Sequence, residues 1–231
     1  MAYYSYTPNR GGFLSNLPPV TKNLFIINVL MFIFTMVNEE FMVTVFAMFY
    51  PASRFFHFWQ PLTHMFMHGG WMHIFFNMYA LIMFGTVVER ALGSKKFLVF
   101  YFVTGLGAVA LHTGVQFLQA QYFLSDINQN LVAYRDMLRT PTLGASGAIF
   151  GLLVGFAMLY PESILTLIFP PVSLKAKWFV LIYCAIELLL GVRGVTDGVA
   201  HFAHLGGALF GWLLILWWKK TGRYYERDNW F

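Results

Sequence analysis

The sequence predicts an all-α membrane protein, a bundle of six transmembrane helices with both chain ends cytoplasmic and a first loop lying in the membrane interface. Three observations carry that expectation. Of 231 residues, 58% are hydrophobic and 11% charged, and the mean hydropathy is +0.62. A soluble domain holds about 25% charged residues, so this chain cannot bury its apolar surface in a water-soluble core. Six apolar stretches each approach the ~20 residues that a spanning helix needs. The basic residues fall in the breaks between those stretches, with a bias toward one side.

The first stretch runs roughly from Val20 to Val37 and is closed by Glu39 and Glu40. The break from Phe41 to Gly70 is long and aromatic, with Phe46, Phe49, Tyr50, Phe55, Phe56, Phe58 and Trp59. Aromatics at this density suit the headgroup region, so the break reads as an interfacial loop. The second stretch is Trp71 to Val88 and the third Phe97 to Leu118. Gln119 to Thr142 is polar and reads as a surface loop. The fourth stretch is Leu143 to Tyr160, the fifth the short Trp178 to Val192, and the sixth Ala200 to Trp218, with a short break from Gly191 to Gly198. The expected organisation is a cytoplasmic tail over 1–19, a six-helix domain over 20–218 and a basic cytoplasmic tail over 219–231.

Orientation follows from charge. Arg10, Lys22, Arg90, Lys95, Lys96, Lys175, Lys177, Lys219, Lys220, Arg223 and Arg227 belong to one side, against Arg54, Arg135, Arg139 and Arg193 on the other. Eleven against four places both termini in the cytoplasm. The net charge of +5 is therefore a topology signal and not a nucleic-acid footprint. Cys184 is the single cysteine and permits no internal disulfide. The start of the chain lacks the basic and apolar regions of a signal peptide.

Polar side chains inside membrane helices are costly and each needs a reason. His73 and Asn77 lie in the second stretch, Ser146 in the fourth, and His201 and His204 in the sixth. These three stretches run in the same direction, so depth can be counted. Asn77 stands thirteen residues before Arg90, Ser146 sixteen before Glu162, and His204 fifteen before Lys219. At the helical rise these are ~20, ~24 and ~22 Å above the cytoplasmic end. In a hydrocarbon core of ~30 Å, all lie in the outer third. That common depth suggests one shared polar site open to water on the extracytoplasmic side.

The residue types suit acyl transfer. Ser146 sits in Gly144-Ala145-Ser146-Gly147, whose small side chains leave its hydroxyl uncovered. A serine needs a base to become a nucleophile, and His204 is the candidate. The oxyanion that forms needs donors placed in advance. His73 and Asn77, four apart, share a helix face and can donate, and the Ser146 or Gly147 amide can add another. Gly207 and Gly211 make a small-residue stripe that lets the sixth helix approach the fourth closely. No acidic third member is evident, since Glu89 is near the cytoplasmic end and the facing of Glu187 is open, so the expectation is a Ser-His dyad. Taken singly, Gly144–Gly147 and Gly207–Gly211 read first as helix packing, and a lone membrane histidine as a hydrogen-bonded structural residue or a proton relay. A rival reading makes His64, His68, His73, His201 and His204 metal ligands, but no carboxylate lies near them in sequence and HExxH is absent. His64 and His68 are expected near the interface, solvated or hydrogen-bonded to the loop.

At these residues the sequence resembles the rhomboid protease family, from about His57 to Trp218. The carrying segments are His64-Met-Phe-Met-His68-Gly-Gly-Trp-Met-His73-Ile-Phe-Phe-Asn77, Gly85-Thr-Val-Val-Glu89-Arg-Ala-Leu-Gly93, Gly144-Ala-Ser146-Gly147 and Ala203-His204-Leu-Gly-Gly207-Ala-Leu-Phe-Gly211. The resemblance implies that Ser146 is the nucleophile, His204 and not His201 the base, His73 and Asn77 oxyanion donors, and Glu89 a structural tie. It implies hydrolysis of transmembrane or juxtamembrane segments of membrane proteins without cofactor or metal, with lipid and membrane-protein substrates as partners and no nucleic acid. The expected location is a bacterial inner or cell membrane. A catalytically silent, chaperone-like relative is the alternative. Two positions depart from the family pattern: Trp59-Gln60 stands where many members have Trp-Arg, and Phe150 where many have Tyr.

Overall fold

The computed structural model describes residues 12–167, 171–194 and 199–222. Arg10, Arg223, Arg227, most of the expected tails and much of the break before the sixth stretch lie outside the described residues. After a short 3-10 turn at Phe13–Asn16, α1 spans Pro19–Val37 and α2 Glu39–Phe46. Asn38 separates them and caps α2, its Oδ1 accepting from the Phe41 amide at 3.1 Å. The short α3, Gln60–Thr63, continues into a 3-10 turn to Phe66. The next helix, α4, covers Trp71–Leu92 and is broken by one π turn at Leu81–Gly85. Then come α5 at Ser94–Ser125, α6 at Ile127–Arg139 and α7 at Ser146–Leu159. An antiparallel pair, β1 at Ile164–Thr166 and β2 at Ser173–Lys175, leads into α8 at Ala176–Arg193, and α9 closes the fold at His201–Lys220.

Four of these helices, α1, α4, α5 and α9, are long and apolar enough to cross a membrane among the described residues. Helix α7 is apolar but has only 14 residues. Helix α8 is long enough but carries Lys177, Glu187 and Arg193. The protein is thus a mostly helical integral membrane protein. Large side chains such as Trp71, Phe75, Phe117, Leu181 and Leu189 project outward, as a lipid-facing surface requires.

Two expected boundaries are corrected. Gln119 to Thr142 is not a loop: α5 continues to Ser125 and α6 follows almost at once. A helix satisfies its own backbone hydrogen bonds whatever side chains it carries, so a polar composition does not rule one out here. The apolar Leu143–Ala145 does not open the fourth helix; α7 starts at Ser146 because Gly144 adopts φ +127°, outside the helical region.

Helix α9 is the centre of the bundle, packed mainly on α5 and α7. Its glycines set the distance. A Cβ at Gly207 would stand 1.8 Å from the Gly147 carbonyl oxygen, and one at Gly211 3.0 Å from the Gly151 backbone. One at Gly206 would stand 2.8 Å from Ala108 Cα on α5. The small-residue stripe therefore meets the fourth apolar stretch, as expected, backbone against backbone.

The aromatic break is tied down by polar groups. Gln60 is fully buried, and both ends of its amide are used. Its Oε1 accepts from the Phe49 and His57 amides at 3.3 and 3.1 Å, and its Nε2 donates to the Thr44 and Phe55 carbonyls at 3.1 and 2.8 Å. The departure at this position thus gives a neutral side chain that knits the loop from within. Met48 and Thr142 exchange backbone hydrogen bonds at 2.9 and 2.8 Å, which joins this loop to the segment leading into Ser146.

Candidate active site

Ser146 is the first residue of α7, and its position is set from both sides. Upstream, the Gly144 amide donates to the His64 carbonyl at 2.9 Å. Thr142 Oγ1 lies 3.0 Å from His112 Nε2 on α5. Downstream, Gly147 is locked against Gly207 and Ala108. Across the glycine interface stands His204, one turn before Gly207. Its Nε2 is 2.8 Å from Ser146 Oγ, a hydrogen bond between α9 and α7. Phe150 lies one turn along α7 from Ser146, and its ring stacks on the His204 imidazole with centroids 4.2 Å apart and planes 9° from parallel. Tyr183 of α8 backs Phe150 at 4.7 Å. Phe150, the second of the two departures from the family pattern, thus rests on His204 without a hydroxyl.

His73 reaches the same place from α4. A Cβ at Gly144 would come within 2.8 Å of His73 Nε2 and 3.5 Å of Ser146 Oγ, so only glycine leaves that corner open. The Gly69 amide points at His73 Nδ1 over a long 3.4 Å. With Nδ1 accepting, the ring proton belongs on Nε2, the edge turned toward Gly144. Asn77 is buried one turn further on, and its Nδ2 donates to the His73 carbonyl at 2.8 Å, which leaves its second N–H for another acceptor. The first amides of α7 have no acceptor within the helix, and Ile149 is the first to bond back, to Ala145. Ser146 and Gly147 therefore present N–H groups at the positive end of a helix beside the serine hydroxyl.

His64 is buried, with Nδ1 3.1 Å from the Gln60 carbonyl, and burial lowers it to about 4. His68 is also buried rather than solvated, edge-on to His73 at 5.0 Å, and burial lowers it to about 3. Both are neutral at physiological pH. No group of three or more His, Cys, Asp and Glu side chains that could hold a metal ion is found among the described residues.

Glu187 was left open by the sequence and proves to be part of this cluster. It is buried on α8, and its Oε2 lies 2.7 Å from His201 Nδ1 and 3.0 Å from His204 Nδ1. The His201 contact is an aligned hydrogen bond. The His204 contact has ion-pair distance, but its N–H is not aimed squarely at the oxygen. The available signal was a carboxylate within an apolar stretch, which demands a buried partner. Helix α8 is apolar around most of its circumference, so no periodicity showed which way that carboxylate faced.

The family model for the Rhomboid domain matches residues 55–220. The Rhomboid protease AarA of Providencia stuartii is 26% identical over 204 residues, covering 84% of this chain and 70% of that protein. RHOMBOID-like protein 4 of Arabidopsis thaliana is 33% identical, covering 68% of this chain and 33% of the relative. Rhomboid-like protease 3 of Toxoplasma gondii is 27% identical, covering 79% and 60%. The chain thus spans from a third to 70% of the length of these relatives.

Proposed function

The chain belongs to the rhomboid family, and on that premise we propose that it is an intramembrane serine endopeptidase cutting peptide bonds in or beside transmembrane segments of membrane-protein substrates. The observation that carries this reading is the 2.8 Å contact between Ser146 Oγ and His204 Nε2 on two helices joined by glycines. Ser146 Oγ attacks the scissile carbonyl carbon while its proton passes to His204 Nε2. The oxyanion is held by the Ser146 and Gly147 amides, His73 Nε2–H and the free Asn77 N–H. Collapse breaks the C–N bond, and the leaving amine takes the proton from His204. Water then attacks the acyl ester, giving a proton to His204, which passes it to Ser146 Oγ as the ester C–O bond breaks and the carboxylic acid product leaves. No cofactor takes part.

The same reading makes α7 the fourth of six spans and α8 the fifth. Fourteen residues of α7 rise ~21 Å, less than the ~30 Å of hydrocarbon. Its far end is followed by Glu162, paired with Lys175 and Lys177 at the basic interface. Ser146 then lies roughly 10 Å below the opposite surface, among longer helices. The basic ends, with tails over 1–19 and 219–231, are cytoplasmic, and the site opens to the extracytoplasmic side of a bacterial cell membrane.

The test is a reconstituted membrane substrate with a fluorophosphonate probe. Ser146→Ala is expected to abolish cleavage and labelling, and His204→Ala to reduce both by about four decades or more, since the pair acts as a unit. Cleavage that survives Ser146→Ala overturns the nucleophile. Substrate that co-purifies with wild type uncut and unlabelled indicates the catalytically silent, substrate-holding alternative.

A further inference from the structure

We propose that Glu187 is a positioning residue that fixes the tautomer and orientation of His204, so that the site works as Ser146–His204–Glu187 with His201 as the anchor of the carboxylate. The inference rests on the proposed peptidase function. A carboxylate buried in a membrane helix is costly unless paired, and the two imidazoles are the partners this one meets. His201 and His204 are three apart on α9, so they present to α8 as neighbours on one face.

The two rings use one oxygen differently. His201 Nδ1 makes the shorter, aligned bond to Oε2 at 2.7 Å. That bond stops the carboxylate from turning away. His204 offers the same oxygen its Nδ1 at 3.0 Å while its Nε2 holds the serine hydroxyl at 2.8 Å. An acceptor facing Nδ1 keeps the ring proton there and leaves the Nε2 lone pair free for the Ser146 proton. When that proton arrives, both ring nitrogens carry hydrogen and the imidazolium faces a carboxylate. The imperfect aim of the Nδ1–H is what a resting site shows before substrate tightens it. Phe150 stacked on the ring face limits tilting of the imidazole out of its plane.

The decisive measurements are steady-state cleavage and 15N-histidine spectra of wild type, Glu187→Gln and Glu187→Asp in detergent or nanodiscs, with Ser146→Ala as the inactive control. Glu187→Gln is expected to lower kcat about 100-fold with KM within about twofold. Glu187→Asp should recover part of kcat. At neutral pH the wild-type spectrum should show the His204 proton on Nδ1, and Glu187→Gln should move it to Nε2. A merely structural role would lower stability and leave the tautomer in place. Full kcat in Glu187→Gln beside an inactive Ser146→Ala overturns this inference and leaves the proposed function standing. A wild-type His204 protonated on Nε2 overturns it without any variant. Wild type that neither cleaves nor labels overturns the peptidase reading, and the spectrum still decides the role of Glu187.

Discussion

Glu89 and Glu187 are both buried glutamates on apolar helices, yet their surroundings are opposite. Glu89 is saturated. Its Oε1 accepts from the Val20 amide at 3.0 Å and Ser94 Oγ at 2.7 Å, and its Oε2 accepts from the Thr21 amide and hydroxyl at 2.7 Å each. Two of those donors are the first amides of α1, so the carboxylate sits at a helix N-terminus and binds α1, α4 and the start of α5 together. Glu187 instead meets the side chains of two titratable rings, one of which holds a serine. The difference teaches how to tell a strut from a working group. A buried charge whose every donor is backbone or hydroxyl fixes geometry. One whose partners can exchange protons is the one we propose to act on the chemistry.

Removing the strut is the largest expected effect on stability. Glu89→Ala leaves the Val20 and Thr21 amides without their acceptor in a buried place, which costs about 3–5 kcal/mol. Thermal unfolding in detergent should show a drop of many degrees. At low temperature the fraction still folded should react with the serine probe at the wild-type rate, because the donors at Glu89 do not touch Ser146. Glu187→Gln should behave the other way, losing rate with little loss of melting temperature. Normal stability with lost labelling in Glu89→Ala would erase the distinction.

The histidines sharpen the same contrast at a smaller scale. His64 and His68 are buried and held neutral, at about 4 and about 3, against 6.5 in an unfolded chain. Above pH 6.5 neither state binds the proton and they add no pH dependence. As pH falls below 6.5, the unfolded chain takes up protons that the folded one refuses. Stability therefore falls, by roughly 1.4 kcal/mol per pH unit for each ring, until the folded values are reached. Unfolding followed between pH 7 and 4 should show this slope, and His68→Gln should remove one ring's share of it, roughly 1.4 kcal/mol per pH unit. A flat profile would mean that these rings meet water.

Much of this was legible in the sequence because membrane helices advertise polar exceptions. Ser146 and His204 stood out as costly residues at equal depth, and they lie in hydrogen-bond contact. Gly207 and Gly211 predicted the helix interface on which that contact depends. The ends of α1, α8 and α9 fell within about two residues of the marked stretches. Three features stayed hidden for physical reasons. The end of α5 and all of α6 carry polar residues, and a polar helix has no apolar run to set it apart from a loop. Gly144 looks like part of an apolar run, and only its positive φ turns the chain at Ala145 so that α7 begins on the serine. The direction of Glu187 depends on how α8 rotates against α9, a tertiary fact that an all-apolar helix does not encode.

Glu162 completes the comparison from the surface. Lys175 lies 2.7 Å away and Lys177 is also in contact, and hydrogen bonds from these two ammonium groups lower its carboxyl to about 2. Glu89 has as much attention from donors, but Glu162 is 59% exposed at the end of the β1–β2 hairpin and water competes for every contact. Exposed ion pairs contribute little because solvent and salt screen them. The lowered value means that the pairing is present above the usual carboxyl range near 4.5 and is lost as pH falls through about 2. Glu162→Gln is accordingly expected to change melting temperature by no more than the error of replicate scans, at low and at high salt, with cleavage intact. A clear loss of stability from that substitution would mean that the hairpin end is buried against lipid headgroups, where screening by water does not apply.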